Sequence, residues 1–231
     1  MSSPSSPDNS LDALSLESRV VAAARPAREP DAGTNLPIEL NSTFLAPGPT
    51  GYGRFGNKTW SALESAIESL EGGATLAFSS GVAAISALFS LIPRGAVITA
   101  SRNGYSGSMV ILRQLEASGA AEVRYVDVAD TAQVLAALPG TTLLWLESPT
   151  NPALEVADMP TIIAAAKSHN VGVAVDNTFA TPLIQQPLEM GADVVVHSLT
   201  KYIAGHSDVI LGSISTKEPA AHPDPLPLRA C

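Results

Sequence analysis

Cysteine is almost absent from this 231-residue chain: a single one, Cys231, stands at its end. No disulfide framework and no cysteine-based metal site can form within one chain, which is compatible with a reducing compartment. Basic residues are scarce too, 13 Lys+Arg against 22 Asp+Glu for a formal net charge of -9, with no basic stripe. That balance argues against nucleic acid or an anionic membrane surface as a partner. No apolar run reaches the roughly 18 residues that a membrane span needs. The opening MSSPSSPDNSLDALSLES lacks the basic start and apolar middle of a secretory signal. A soluble, cytoplasmic protein is expected. Only 15% of residues are charged and 45% are hydrophobic, too apolar for a disordered chain and enough for one substantial core or two small ones.

Certain motifs are missing as well. There is no GxxxxGK[ST], which excludes a nucleotide P-loop, and SSGVAAIS lacks the GxGxxG spacing of a dinucleotide site. No HExxH or Asp/His cluster supports a metal; His197 reads as a strand-end side chain and His206 as a loop hydrogen-bonder, so no metal is expected.

What is present has a clear order. Residues 1–58 form an N-terminal arm, of which 1–16 are Ser/Pro/Asp-rich and expected to be mobile. Residues 17–58 carry five prolines and read mostly as loop. TWSALESAIESLEGG then sets Trp60, Leu63, Ile67 and Leu70 at helical spacing, with Ser61 and Glu64 as a capping box and Gly72-Gly73 as the stop. Short apolar runs at 74–78, 95–100, 121–126, 142–147, 171–176 and 192–197 read as strands, with helical patterns at 81–92, 106–118, 130–138 and 158–169. Strands with continuous apolar runs, separated by amphipathic helices, predict a three-layer α/β/α domain over 59–216 with a mainly parallel sheet and right-handed crossovers. Residues 217–231, KEPAAHPDPLPLRAC, hold four prolines and no periodicity.

In such a sheet ligands bind at the carboxyl ends of the strands. The first strand delivers Ser79, Ser80 and Gly81 into a helix start, where small residues and free amides suit a phosphate. The second leads to Tyr105, and the fourth to ESPTNP with Asn151. The fifth ends in Asp176, then Asn177 and Thr178. The last delivers Ser198, Thr200 and Lys201. A carboxylate closing VGVAV needs a partner once buried. For Asp176 and Lys201 alone, a plain salt bridge stands at even odds with a functional pairing. The hydroxyl-rich cradle of Ser80, Gly81, Ser198 and Thr200 tips the balance, because a phosphate site, a buried acid and a buried amine together describe pyridoxal 5'-phosphate (PLP). The lysine would hold its aldehyde and the acid its ring nitrogen.

The motifs PIELNSTF, YGRFGN, IESLEGG, FSSGVAA, ESPTNP, AVDNTFATP and HSLTKYIAGHSD also carry a family likeness. The chain resembles, from about Arg19 to about Thr216, the Cys/Met-metabolism PLP enzymes: cystathionine γ-synthase, cystathionine γ-lyase, methionine γ-lyase and their relatives. The resemblance implies the large domain of fold type I PLP-dependent transferases. It implies Lys201 as the cofactor-bearing lysine and Asp176 as the ring-nitrogen partner, with Thr178 beside it. Ser80, Gly81, Val82, Ser198 and Thr200 match phosphate-binding positions. Tyr105 matches the residue stacked on the ring and a plausible proton donor or acceptor, and Asn151 the group near the ring hydroxyl. Tyr52 and Arg54, which alone would read as an exposed loop, match a pair that reaches the phosphate of a neighbouring subunit, so a homodimer or homotetramer with a shared active site is implied.

The implied activity is γ-elimination or γ-replacement at C–S or C–O bonds, on cystathionine, activated homoserine or cysteine. Methionine γ-lyase or O-acylhomoserine sulfhydrylase specificity is a further alternative. Relatives continue into a C-terminal small domain that supplies an arginine for the substrate carboxylate. That domain is expected to be missing here, with Arg229 a poor substitute. A non-catalytic PLP-binding remnant is therefore the competing reading, and a sugar aminotransferase a weaker third.

Overall fold

A computed structural model describes residues 11–26 and 29–217. The expectations placed on residues 1–10 and 218–231, Arg229 included, lie outside the described residues. The chain forms two compact units, divided between Leu70 and Glu71.

In the first unit a short helix, α1 (Leu16–Ala22), stands where the sequence suggests loop. The Ser15 hydroxyl accepts the Ser18 amide at its start. The helix buries no residue, so it leaves no hydrophobic stripe for periodicity to detect. Irregular chain follows, with an isolated bridge between Thr43 and Tyr52. Helix α2 (Lys58–Glu71) begins earlier than the expected capping box. The Asn57 side-chain carbonyl accepts the Thr59 amide at 2.9 Å and the Glu39 carboxylate accepts the Lys58 amide at 3.1 Å. The orphan amides of the first turn are thus satisfied from Asn57 and Glu39, and Ser61 lies inside the helix.

The second unit is built on a seven-stranded sheet in the order β1-β7-β6-β5-β4-β2-β3. Its elements are β1 (Ala74–Phe78), α3 (Gly81–Ser90), β2 (Ala96–Ser101), α4 (Ser106–Ala117), β3 (Ala121–Val126), α5 (Thr131–Ala137), β4 (Leu143–Glu147), α6 (Met159–Ser168), β5 (Gly172–Asp176), α7 (Thr181–Ile184), β6 (Val194–His197) and β7 (Gly212–Thr216). Strands β2 to β6 pair in parallel, and β7 runs antiparallel between β1 and β6. Alternate residues along the central strands feed two cores. Trp145, Ala174 and Val196 meet α3 and α4 on one face, and Leu144, Leu146, Val173 and Val175 meet α5 and α6 on the other. Burial on both faces is why these strands read as unbroken apolar runs.

β7 escaped that reading. Its Gly-Ser-Ile-Ser-Thr is fully buried, yet only Ile214 is a large apolar residue. Small side chains are required there because α3 lies close above it. A Cβ on Gly212 would fall 2.3 Å from the Ser80 carbonyl oxygen. The hydroxyls are satisfied in part within the sheet, Ser215 Oγ lying 2.8 Å from Thr75 Oγ1. Among the described residues no helix is long and apolar enough to cross a membrane.

Candidate functional site

A cavity of about 370 Å³ opens at the carboxyl ends of the parallel strands of the second unit. Ten of the residues singled out from the sequence line it: Ser80, Gly81, Val82, Tyr105, Asn151, Asp176, Thr178, Ser198, Thr200 and Lys201. The chain separates them by up to 121 positions, from Ser80 to Lys201 (201 − 80 = 121). The parallel register brings them to one edge.

Ser80 caps α3, its hydroxyl accepting the Ala83 amide at 3.1 Å. The turns of the helix beyond leave the amides at its start without intrahelical acceptors, and those amides carry the positive end of the helix dipole toward the cavity. Gly81 is needed for contact between strand ends: a Cβ there would lie 2.7 Å from Ser198 Cβ and 2.9 Å from its Cα. The Ser198 amide donates to the Thr178 hydroxyl at 2.8 Å, joining the ends of β5 and β6. The Thr200 hydroxyl donates to the Leu211 carbonyl and accepts the Leu211 amide, pinning the 200–211 loop. Serving an anion would require it to turn from that carbonyl.

Asp176 is buried, and its Oδ1 accepts the Thr178 amide at 3.0 Å. Burial raises its carboxyl above the usual range, while the Thr178 hydroxyl and amide and the His197 charge work the other way. Among the described residues no ion pair joins Asp176 to Lys201. The plain salt bridge is therefore not formed. A buried acid with no lysine or arginine among the described residues paired to it suits a ligand that brings a proton on nitrogen. Lys201 lines the same cavity but is exposed, where the sequence predicts a buried amine, because it lies in the turn beyond β6 and not in the strand; its backbone amide donates to the Ser198 carbonyl at 3.1 Å. The hydroxyls, the helix start, the acid and the amine together fit PLP: Ser80–Val82 and Ser198 could hold a phosphate, Asp176 a ring nitrogen and Lys201 an aldehyde.

Tyr52 and Arg54 belong to the first unit. The Arg54 guanidinium lies 5.2 Å from the centre of the Tyr52 ring and 5.5 Å from that of Phe55, on exposed chain. The sequence reading missed one buried group altogether, Glu147. It closes β4 as Asp176 closes β5, lies beside Asp176 in register, and lines the cavity. The argument that singled out Asp176, an acid ending an apolar run, applies equally to TLLWLE. A second missed feature lies behind the site. His197 Nε2 pairs with Glu71, both fully buried, and the Asn177 side-chain amide donates to the same Glu71 oxygen at 3.0 Å.

The mixed, mainly parallel sheet is that of the fold type I PLP-dependent enzymes, the class of the solved structures on which it superposes. Residues 22–225 match the family described as Cys/Met metabolism PLP-dependent enzyme, and the chain belongs to that family. The cystathionine γ-synthase of Mycobacterium tuberculosis is 41% identical over 201 residues, covering 82% of this chain and 52% of its own. The cystathionine β-lyase of Bacillus subtilis is 37% identical over 198 residues, covering 81% and 51%. The crystal structure of cystathionine γ-lyase from Lactobacillus plantarum complexed with L-serine superposes with a TM-score of 0.83 at 37% identity, over 90% of this chain and 56% of that one. This chain thus spans about half the length of these relatives.

Proposed function

We propose that this chain carries the cofactor site of a PLP-dependent enzyme that cleaves or exchanges carbon–sulfur or carbon–oxygen bonds in sulfur amino acids, of the cystathionine γ-lyase or γ-synthase type. The observation that carries the reading is the delivery of Asp176 and Lys201 by adjacent parallel strands to one cavity without an ion pair between them. The names of the relatives, which include a β-lyase, support the bond class and widen the position of cleavage to β or γ.

When bound, PLP supplies the electron sink that makes an amino acid's Cα proton removable. Lys201 would hold the cofactor's aldehyde through Nζ, and the same amine would serve as the general base for the substrate's Cα proton. Asp176 keeps a proton on the ring nitrogen through a charge-assisted hydrogen bond. Thr178 fixes that carboxylate. Ser80, Gly81, Val82, Ser198 and Thr200 would hold the phosphate, Tyr105 would pack against the ring with its hydroxyl available as proton donor or acceptor, and Asn151 would serve the ring hydroxyl. Tyr52 and Arg54 serve the phosphate of a neighbouring copy, whose planar guanidinium grips two oxygens at once, so the working form is a homodimer or homotetramer. A cytoplasmic setting suits such metabolism.

The test is an absorbance titration of the purified chain with PLP, then with cystathionine, or with cysteine plus an activated homoserine. A Lys201-dependent band near the visible edge that shifts on adding substrate is the expected outcome, with Lys201→Ala showing none. A band that ignores every substrate would leave a cofactor cradle without turnover. Folded protein with no band would sink the assignment.

A further inference from the structure

We propose that Glu147 is a positioning residue of this site: its carboxyl grips the Tyr105 amide and, as the protonated member of a side-by-side carboxyl pair, leaves Asp176 as the anion. The inference rests on the cofactor reading above for what Tyr105, Asn151 and Asp176 are positioned to do.

The geometry begins with the strand register. β4 and β5 are parallel, Glu147 stands opposite Asp176, and both side chains line the one cavity. Both are buried. Two carboxylates so placed in a desolvated site cannot both ionise, so the pair retains a proton. The surroundings decide which member keeps it. Asp176 has the groups that favour charge: the Thr178 amide at 3.0 Å, the Thr178 hydroxyl and the His197 charge behind it. Glu147 has amides but no adjacent cation. It faces Asp176, the amide of Tyr105 and the amide of Asn151, and Lys201 is the cation of the shared cavity. Burial first, then the charge of Asp176, push its carboxyl up to about 8 despite those two amides.

The grip is specific. Glu147 Oε2 accepts the Tyr105 amide at 2.7 Å, and a Cβ on the preceding Gly104 would come within 3.1 Å of the same oxygen. The loop after β2 is thus drawn down onto the end of β4 at the residue that starts α4. The Asn151 amide, in the turn after β4, faces the same carboxyl and favours its charged form. One side chain therefore ties the loop after β2 to the end of β4 at the cavity. A neutral carboxyl does this without adding a second negative charge beside the ring-nitrogen partner.

The test compares wild type with Glu147→Gln, which keeps the shape and the neutral charge, and Glu147→Ala, which removes the grip. In the cofactor-free chain, melting temperature is followed from about pH 5 to 9. A folded-state value raised above the unfolded one means the unfolded chain loses this proton first, so folded stability falls as pH climbs between the two. Wild type is expected to lose melting temperature relative to Glu147→Gln over about pH 5 to 8. In a PLP titration, Glu147→Gln is expected to bind within about threefold of wild type and Glu147→Ala at least tenfold more weakly. Parallel melting curves of wild type and Glu147→Gln across the range would overturn the protonated role, and wild-type affinity in Glu147→Ala would overturn the positioning role. The melting comparison needs only the Gln variant. Loss of any Lys201-dependent band in wild type would instead refute the cofactor reading, while the cofactor-free comparison would still judge the proton on Glu147.

Discussion

Gly212→Ala adds one methyl group at a point where three backbone atoms already stand. The new Cβ would fall 2.3 Å from the Ser80 carbonyl oxygen, 2.5 Å from its carbonyl carbon and 2.8 Å from the Gly81 amide nitrogen. Favourable carbon contacts lie at about 3.5–4.0 Å, so the overlap is roughly 1 Å. A flexible side chain could turn away; these atoms cannot. β7 cannot step aside either, being laddered to β1 from Ala74↔Thr216 to Phe78↔Gly212 and to β6 on its other edge. Relief must come from shifting the start of α3, which lines the cavity. Overpacking costs about 1–3 kcal/mol, and a purely backbone clash takes the upper end, about 3 kcal/mol. At about 2–4 °C per kcal/mol for a protein of this size, the melting temperature should drop by about 6–12 °C. The assay is thermal unfolding by circular dichroism, with PLP affinity measured in the folded fraction, where at least a tenfold loss is expected. Gly51→Ala is the control, since nothing lies within 4 Å of its Cβ, and its change should stay within about 0.5 kcal/mol. A Gly212→Ala chain that melts within a degree of wild type and binds PLP normally would refute the view that this glycine exists for the β7–α3 approach.

Other expectations concern the interior. His197→Ala strands the fully buried Glu71 carboxyl with only the Asn177 amide, and should cost about 3–5 kcal/mol in denaturant unfolding. Replacing both with apolar residues, Glu71→Met with His197→Leu, should recover most of that loss, and a double variant as weak as the single one would contradict the explanation. Trp145→Ala removes a ring that is 2% exposed and packs edge-on to Phe89 at 5.2 Å between centres. A cost of about 3–5 kcal/mol is expected from a fall in the denaturant midpoint, and less than about 1 kcal/mol would mean that the α3 face of the core closes around the void.

Much of the fold was legible because the central strands are buried on both sides. VGVAVD and TLLWLE announce themselves as apolar runs, and the helices between them by their spacing. Elements that lean on their neighbours were not legible. β7 is a strand of glycine, hydroxyls and one isoleucine, whose burial follows from the closeness of α3 and not from any hydrophobicity of its own. α1 and α7 are too short to show a period, and the start of α2 is set by Glu39, many residues upstream. At the site, Asp176 and Lys201 could be picked out locally, since a charged group ending an apolar strand must have a use or a partner. Glu147 satisfied the same criterion and was passed over, because nothing in its immediate sequence shows that Asp176 lies beside it.

The sequence by itself determined the chemistry on offer: an acid, an amine and a set of hydroxyls, each placed at the end of a strand, together with the motifs that tie them to a family. Only the tertiary structure decided which of these meet. Parallel pairing sets Glu147 against Asp176, and the fold returns His197 to Glu71 across a separation of 126 positions. Such pairings depend on which strands become neighbours, a choice made by packing across the whole sheet, and a local pattern of residues carries no record of it.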